Sequence, residues 1–185
     1  IGVLFKNAEA LEVLRKVDTL VIDKTGTLTE GKPKLVSITP LDGFHEQDTL
    51  RWAASLERAS EHPLAEAIVR GAVDRKVSLV PVDNFQSVTG KGVTGKVEEH
   101  RVALGNLKLL ESLGIDSGDL VRRADSLRAE GQTVMLLAID GKAAGLIGVA
   151  DPIKETTPEA IRALHTEGIR IVMLTGDSHK TAEAV

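Results

Sequence analysis

Asp23 and the polar residues that follow it have the side chains best suited to chemistry in this chain. Residues 23–29 read Asp-Lys-Thr-Gly-Thr-Leu-Thr and follow a β-branched, mostly apolar segment, residues 19–22, which predicts a strand buried in a parallel sheet. The carboxyl end of such a strand lies at the edge where open α/β sheets bind ligands. Asp23 is therefore a candidate nucleophile, with the charge of Lys24 and several threonine hydroxyls beside it.

Position 25 determines which phosphoryl chemistry this loop can support. An aspartate two residues after the nucleophile could protonate a leaving group and later activate water, which would hydrolyse a phospho-enzyme rapidly. Thr25 can do neither, so we expect the loop to form an aspartyl-phosphate on Asp23 and to retain it. The three residues Asp-Lys-Thr alone would also fit an ordinary polar turn after a strand.

A second apolar segment, residues 169–174, repeats this arrangement and ends in Thr175, Gly176 and Asp177. Two parallel strands would bring the Thr175 hydroxyl and the Gly176 N–H to a phosphoryl group on Asp23. Taken alone, the Thr-Gly-Asp sequence fits a strand-to-helix turn capped by Asp177. Beside the Asp23 loop, phosphate binding is the favoured interpretation.

A glycine-rich stretch matches two nucleotide-binding patterns only in part. Gly90, Gly92 and Gly95 have the spacing of a dinucleotide-binding fingerprint, but a strand-like segment follows where that motif requires a helix. A Walker A loop is excluded as well, because Val97 occupies the position of the Mg²⁺-binding Ser or Thr. What remains is a backbone without side chains, which can closely approach a flat ligand.

Composition excludes several other classes of function. The formal net charge is −4 and the chain has only three Phe and one Trp, which argues against a nucleic-acid surface. There is no Cys, so disulfides and thiolate metal sites are excluded. No apolar run approaches the roughly 18 residues of a spanning helix and no signal peptide opens the sequence, so we expect a soluble polypeptide.

The pattern of elements predicts an α/β fold with an insertion. We expect a parallel-sheet domain formed by residues 1–35 and 147–185, interrupted by an antiparallel α+β unit over residues 36–146. Asp140-Gly141 is a strong hairpin signal within that unit. Helices are predicted at 7–14, 49–59 with Asp48 as cap, from Pro63, at 106–113, 117–131 with Ser117 as cap, 157–168 and from Ser178. Strands are predicted at 35–39, 85–88, 96–104, 133–139 and 142–149, besides the two named above.

Four motifs, in order, resemble those of heavy-metal P-type ATPases, cation pumps whose catalytic part has the haloacid-dehalogenase fold. Residues 23–29 resemble the phosphorylation motif, and Glu57 with Ser-Glu-His-Pro-Leu at 60–64 resembles the nucleotide-domain signature. Asp151-Pro152 and the Thr175 loop complete the set. The later Gly-Asp-Gly-x-Asn-Asp motif of the family, which supplies another Mg²⁺ carboxylate, does not occur in the sequence.

The resemblance implies roles for individual residues. Asp23 would be phosphorylated, with Lys24 and Thr25 as its partners, and Mg²⁺ would be held by Asp23 and the Thr25 carbonyl. His62 would pack against the adenine of ATP, and Glu57 would accept a hydrogen bond from its amino group; an imidazole can stack on a purine and a carboxylate can accept from an amine. The remaining implied pocket residues are Gly90 and Gly92, near the phosphates and ribose, and Gly105 and Asn106.

Residues 2–12 look most like the copper-exporting members of the family. The resemblance thus implies the ATP-binding and phosphorylation region of a Cu⁺ pump, at the cytoplasmic face of a membrane, with an actuator domain and membrane helices as its partners. A Zn²⁺, Cd²⁺ or Co²⁺ pump, a free-standing phosphatase or phosphotransferase of the same fold, and a nucleotide sensor without catalysis are the alternatives. We expect this chain to bind ATP without turnover.

Overall fold

The structure, a computed structural model, describes residues 7–176 together with Leu4 and Ala182. In chain order the helices are α1 (Ala8–Leu14), α2 (Glu46–Glu57), α3 (Pro63–Asp74), α4 (Leu107–Ser112), α5 (Leu120–Ala129) and α6 (Thr157–Thr166). The strands are β1 (Thr19–Asp23), β2 (Lys34–Pro40), β3 (Val82–Val88), β4 (Gly92–Val97), β5 (His100–Gly105), β6 (Thr133–Ile139), β7 (Lys142–Ala150) and β8 (Arg170–Leu174). The α/β fold class predicted from the sequence is confirmed.

The described residues divide into two compact units. The discontinuous unit comprises residues up to Gly31 and Ile153–Gly176, and the central unit comprises Lys32–Pro152. The central unit begins before residue 36 and ends after residue 146, because β2 and β7 belong entirely to its sheet. The predicted limits, residues 36 and 146, fall within β2 and β7.

In the discontinuous unit, β1 and β8 pair in parallel, with Asp23 opposite Leu174 at their carboxyl ends. The helix α6, which starts with Thr157-Pro158 as predicted, contacts β8. The predicted burial of β1 is wrong in this structure, because Val21 is 56% exposed. In the paired strand β8, Leu174 is 57% exposed. Within the described residues this sheet has two strands, so part of its apolar surface is left uncovered.

The central unit is built on one antiparallel sheet of six strands, in the order β2-β7-β6-β5-β4-β3. The helices α2 and α3 cover one face, where Leu56 and Ile68 pack with Leu104 of the sheet. The helices α4 and α5 cover part of the other face, where Leu109 packs with Leu136. Each fully buried aliphatic side chain contributes about 1.5–3 kcal/mol to the stability of this core.

Three predicted element boundaries are wrong. The helix α2 begins at Glu46, so Asp48 lies in its first turn rather than at its cap. The helix α5 begins at Leu120, after Asp119 rather than Ser117. The predicted strand 96–104 is two strands, β4 and β5, joined by a tight turn in which Glu98 has a φ of +55°. A non-glycine residue in this conformation gives no local turn signal, which is why the hairpin was missed.

The helix predicted from Ser178 lies outside the described residues. In the described part of the chain, none of the helices combines the length and hydrophobicity needed to span a bilayer.

Candidate functional site

The six predicted nucleotide-binding residues all line one cavity of the central unit, about 390 Å³ in volume. The end of α2, the start of α3, the turn between β3 and β4 and the end of β5 surround it. The six residues are Glu57, His62, Gly90, Gly92, Gly105 and Asn106. Residues separated by almost fifty positions are thus brought together in a space large enough for a small ligand.

Glu57 contributes a buried and incompletely satisfied carboxylate to this cavity. Its side chain is 5% exposed, and among the described residues its Oε2 finds no hydrogen-bond partner. Burial raises the pKa of Glu57, and a hydrogen bond from the Ser60 side chain opposes this increase. A buried oxygen without a donor costs about 1–3 kcal/mol, so this site is suited to a ligand that brings its own N–H.

His62 is held in place by the helix that follows it. It is the N-cap of α3, and its Nδ1 accepts a hydrogen bond of 3.2 Å from the backbone N–H of Leu64. Pro63 occupies the first position of the helix, where its missing N–H costs nothing. Because Nδ1 is the acceptor, the neutral imidazole carries its proton on Nε2. The ring is therefore fixed in one tautomer at the edge of the cavity.

The glycines of the cavity are required for different reasons. A Cβ on Gly92 would overlap the carbonyl oxygen of Leu104, and one on Gly105 would overlap the carbonyl oxygen of Lys91. These two glycines let β4 and β5 approach each other closely. Gly90 has open space around it but a φ of +69°, a conformation that other residues rarely adopt. The lack of a side chain at Gly90 is thus needed for the conformation of the turn and not for packing.

Asn106 joins the end of β5 to the turn between β3 and β4. Its backbone N–H donates to the Lys91 carbonyl at 2.8 Å, and its Nδ2 donates to the Gly90 carbonyl at 2.8 Å. Its Oδ1 accepts from the N–H of Leu109 at 3.2 Å and caps α4. The side chain of Asn106 is thus engaged with the protein at both ends. The sequence predicted a pocket residue here but not this bracing role.

Several residues that line the cavity were not predicted from the sequence. They include Lys91, Ser87, Thr133 and Met135. Lys91 lies between the predicted Gly90 and Gly92, so its place in the sequence could have indicated that it lines the cavity. A larger cavity of about 570 Å³ lies on the other face of the sheet, beside α4, and none of the predicted site residues lines it.

The second candidate site is the loop after β1. Asp23 is exposed at the carboxyl end of that strand, and Lys24 is only 7% exposed. Because Asp23 pairs in register with Leu174, the residues Thr175 and Gly176 leave the neighbouring strand at the same edge of the sheet. Asp177, the third residue of that predicted loop, lies outside the described residues.

Hydrogen bonds within the loop fix its shape. The Thr29 hydroxyl accepts from the Gly26 N–H at 3.1 Å and donates to the Lys24 carbonyl at 3.2 Å. Two residues from the later segment secure it: Lys154 Nζ donates to the Gly26 carbonyl at 2.6 Å, and the Thr157 hydroxyl donates to the Leu28 carbonyl at 2.7 Å. These supports were not predicted, because they join positions more than a hundred residues apart.

Oxygen donors dominate this second site. The carboxylate of Asp23 and the carbonyl of Thr25 are ligands of the kind that Mg²⁺ prefers. In the ranges that the structure describes, no three His, Cys, Asp or Glu side chains cluster as a metal site. Mg²⁺ is commonly bound by one or two carboxylates together with substrate phosphates.

Comparison with known families decides the classification. Residues 17–185 match the hydrolase family described as haloacid dehalogenase-like hydrolase. The chain belongs to the haloacid dehalogenase-like hydrolases.

Relatives of this haloacid dehalogenase-like chain are named as metal pumps. A copper-exporting P-type ATPase of Legionella pneumophila is 56% identical over 184 residues, which are 100% of this chain and 25% of the relative. A zinc-transporting PIB-type ATPase in its E2.Pi state has a similar structure, with a TM-score of 0.75 and 32% identity over 94% of this chain and 28% of that chain. The resemblance to heavy-metal P-type ATPases is confirmed.

A further solved structure covers the catalytic region alone. This structure is of the catalytic domain of the CPx-ATPase CopB-B and was determined to describe its conformational changes upon nucleotide binding. The TM-score is 0.70 and the identity 25%, over 96% of this chain and 60% of that one. The haloacid dehalogenase-like chain described here therefore spans about a quarter of the Legionella relative and more than half of this catalytic domain.

Proposed function

We propose that this chain is the ATP-binding and phosphorylation region of a heavy-metal P-type ATPase that exports Cu⁺. The central unit, near the predicted 36–146, is the nucleotide-binding domain, and the discontinuous unit belongs to the phosphorylation domain. The observation that carries the proposal is the convergence of six predicted nucleotide-binding residues on one cavity. Binding of ATP there is the first function of the chain.

Adenine recognition follows from the two side chains at one end of that cavity. The unpartnered Oε2 of Glu57 accepts a hydrogen bond from the exocyclic amino group of adenine. The His62 ring, fixed by its bond to Leu64, stacks against the purine. Guanine presents a carbonyl oxygen where adenine has its amino group, so GTP meets the Glu57 carboxylate with a second acceptor and binds more weakly.

Phosphoryl transfer is the second function, in the intact pump. Asp23 attacks the γ-phosphorus of ATP, the bond from that phosphorus to the bridging oxygen breaks, and ADP leaves. The neighbouring Lys24 adds positive charge, and the Thr175 hydroxyl and Gly176 N–H bind the transferred phosphoryl group. Asp177 is proposed for the same loop. Asp23 and the Thr25 carbonyl hold Mg²⁺, which neutralises charge on the phosphates when bound. Thr25 in place of an acid keeps the aspartyl-phosphate from rapid hydrolysis.

The transported metal ion and the cellular location proposed for this chain follow from its similarity to the relatives. The copper exporter at 56% identity supports Cu⁺ more strongly than the zinc-transporting structure at 32% supports Zn²⁺. The chain then works at the cytoplasmic face of the membrane, with the actuator domain and the membrane helices as its partners. In isolation it binds ATP without turnover.

Two measurements test this function. Calorimetric titration of the chain should detect ATP and ADP, should give weaker binding of GTP, and should give lower ATP affinity for Glu57→Ala. A pump in which this chain replaces the matching quarter of the Legionella relative should form a hydroxylamine-sensitive phosphoprotein from γ-labelled ATP. Labelling that persists in the Asp23→Asn form of that pump would refute the nucleophile assignment, and equal affinity for ATP and GTP would refute the adenine site.

A further inference from the structure

Lys91 is the single Lys or Arg among the described residues that line the nucleotide cavity. Glu57 is the single carboxylate there. The two belong to different parts of the wall, Glu57 to the end of α2 and Lys91 to the turn between β3 and β4. The cavity therefore has one negative and one positive side chain, and an anionic group of a ligand is attracted to the second and repelled by the first.

The turn that carries Lys91 is braced by three hydrogen bonds. The Lys91 N–H donates to the Val88 carbonyl at 2.9 Å, and the Lys91 carbonyl accepts from the Asn106 N–H at 2.8 Å. Asn106 also donates from its side chain to the Gly90 carbonyl. The main chain on both sides of Lys91 is thus fixed, so the starting point of its side chain is fixed as well.

The ammonium group, in contrast, is uncommitted. In the described part of the chain, no hydrogen bond or ion pair of the Lys91 side chain to the protein is found, and the residue is half-buried at the cavity wall. A partly desolvated cation without a counter-ion interacts more strongly with an anionic ligand than a fully exposed one does.

We propose that Lys91, positioned by the Asn106 brace, contacts the phosphate chain of the bound nucleotide. The proposal rests on the proposed nucleotide-binding function and adds the orientation of the ligand. With the base at Glu57 and His62, the phosphates lie along the turn at Gly90 and Lys91. Asn106 is then a positioning residue, because both ends of its side chain are already bonded to the protein.

The test is a ligand series measured by calorimetry on the full chain. Adenosine, ADP and ATP are titrated, without Mg²⁺, into wild type, Lys91→Ala, Lys91→Arg and Lys142→Ala. Lys142 is exposed and does not line the cavity, so its removal is a control for the loss of one charge. We expect Lys91→Ala to lower ATP affinity roughly three- to tenfold and to leave adenosine affinity unchanged, whereas the other two variants resemble wild type.

The series separates failure of this inference from failure of the proposed function. If wild type binds neither adenosine nor ATP, both are overturned. If wild type binds both but Lys91→Ala and Lys142→Ala behave alike, the function stands and the Lys91 contact is overturned. A loss in Lys91→Ala that is equal for adenosine and ATP also overturns it, since Lys91 would then support only the shape of the cavity.

Discussion

The backbone N–H of Leu64 donates to Nδ1 of His62 at 3.2 Å, so His62 caps α3 while it lines the nucleotide cavity. The cap and the proposed base contact would use different parts of the side chain: Nδ1 is bonded to the helix, whereas the ring faces are available for the proposed stacking on a base. A substitution can therefore remove one role and leave the other.

Asparagine and alanine at position 62 should separate these two roles. Asparagine is among the best N-cap residues, so His62→Asn should keep the stability of wild type, whereas His62→Ala should lose about 0.5–2 kcal/mol. Both variants lose the ring and should bind ATP and ADP more weakly, by about 1–3 kcal/mol, the usual range for a lost base–aromatic stack. Urea unfolding and calorimetry measure the two effects. Wild-type affinity in His62→Asn would exclude stacking on His62.

Glu57 should make the stability of the free protein depend on pH. Burial raises its pKa above the usual 4.5, so the folded state favours the neutral carboxyl group. The corresponding stability is present below about pH 4.5 and is lost as the pH rises through the raised pKa. A glutamine side chain at this position stays neutral. The unfolding free energy of Glu57→Gln relative to wild type should therefore increase between about pH 4 and pH 7.5.

Urea unfolding of the two proteins without nucleotide, at several values of pH, measures this difference. The buried amide introduced by Glu57→Gln adds an offset that does not vary with pH, so the slope carries the information. A difference that stays constant across the range would show that Glu57 does not titrate as a buried group. Asp140, which is exposed and has its pKa lowered by a hydrogen bond with His100, is the same in both proteins and cancels from the difference.

The glycines of the cavity should differ in their tolerance of alanine. Gly92→Ala places a Cβ against the Leu104 carbonyl and should cost at least about 2 kcal/mol of stability. Gly90→Ala meets open space and should cost only the strain of its positive φ, about 1–2 kcal/mol. Gly43→Ala, also at positive φ in open space, is the matched control. Equal losses at positions 90 and 92 in urea unfolding would contradict the close approach of β4 and β5.

Local sequence patterns predicted the elements of the fold well where a single segment carries its own signal. The apolar runs before Asp23 and Thr175, the Asp140-Gly141 hairpin and the proline at the start of α3 all correspond to structure. The errors lie where the chain departs from such signals. The helix α2 begins after His45, whose side chain makes no capping hydrogen bond. The turn between β4 and β5 has the non-glycine residue Glu98 at its positive-φ position.

The candidate site was predictable in its members but not in its internal bonds. Glu57 and His62 belong to a short motif, so the sequence alone could indicate them. The bond from Asn106 to Gly90 and the bond from Lys154 to Gly26 span 16 and 128 positions. Such contacts depend on how the whole sheet folds, and no local pattern records them.

The measurement that tests the account most directly is an NMR titration of the full chain with ATP, in which the changes in backbone amide chemical shifts are recorded. We expect the largest changes at 57–64, 87–93, 104–106 and 133–135, the segments that line the cavity of about 390 Å³. Adenosine should affect mainly the first of these segments, and ATP should add changes around Lys91. Shifts confined to the larger cavity, near Gln86, Thr94 and Arg101, or no shifts at millimolar ATP, would contradict the account.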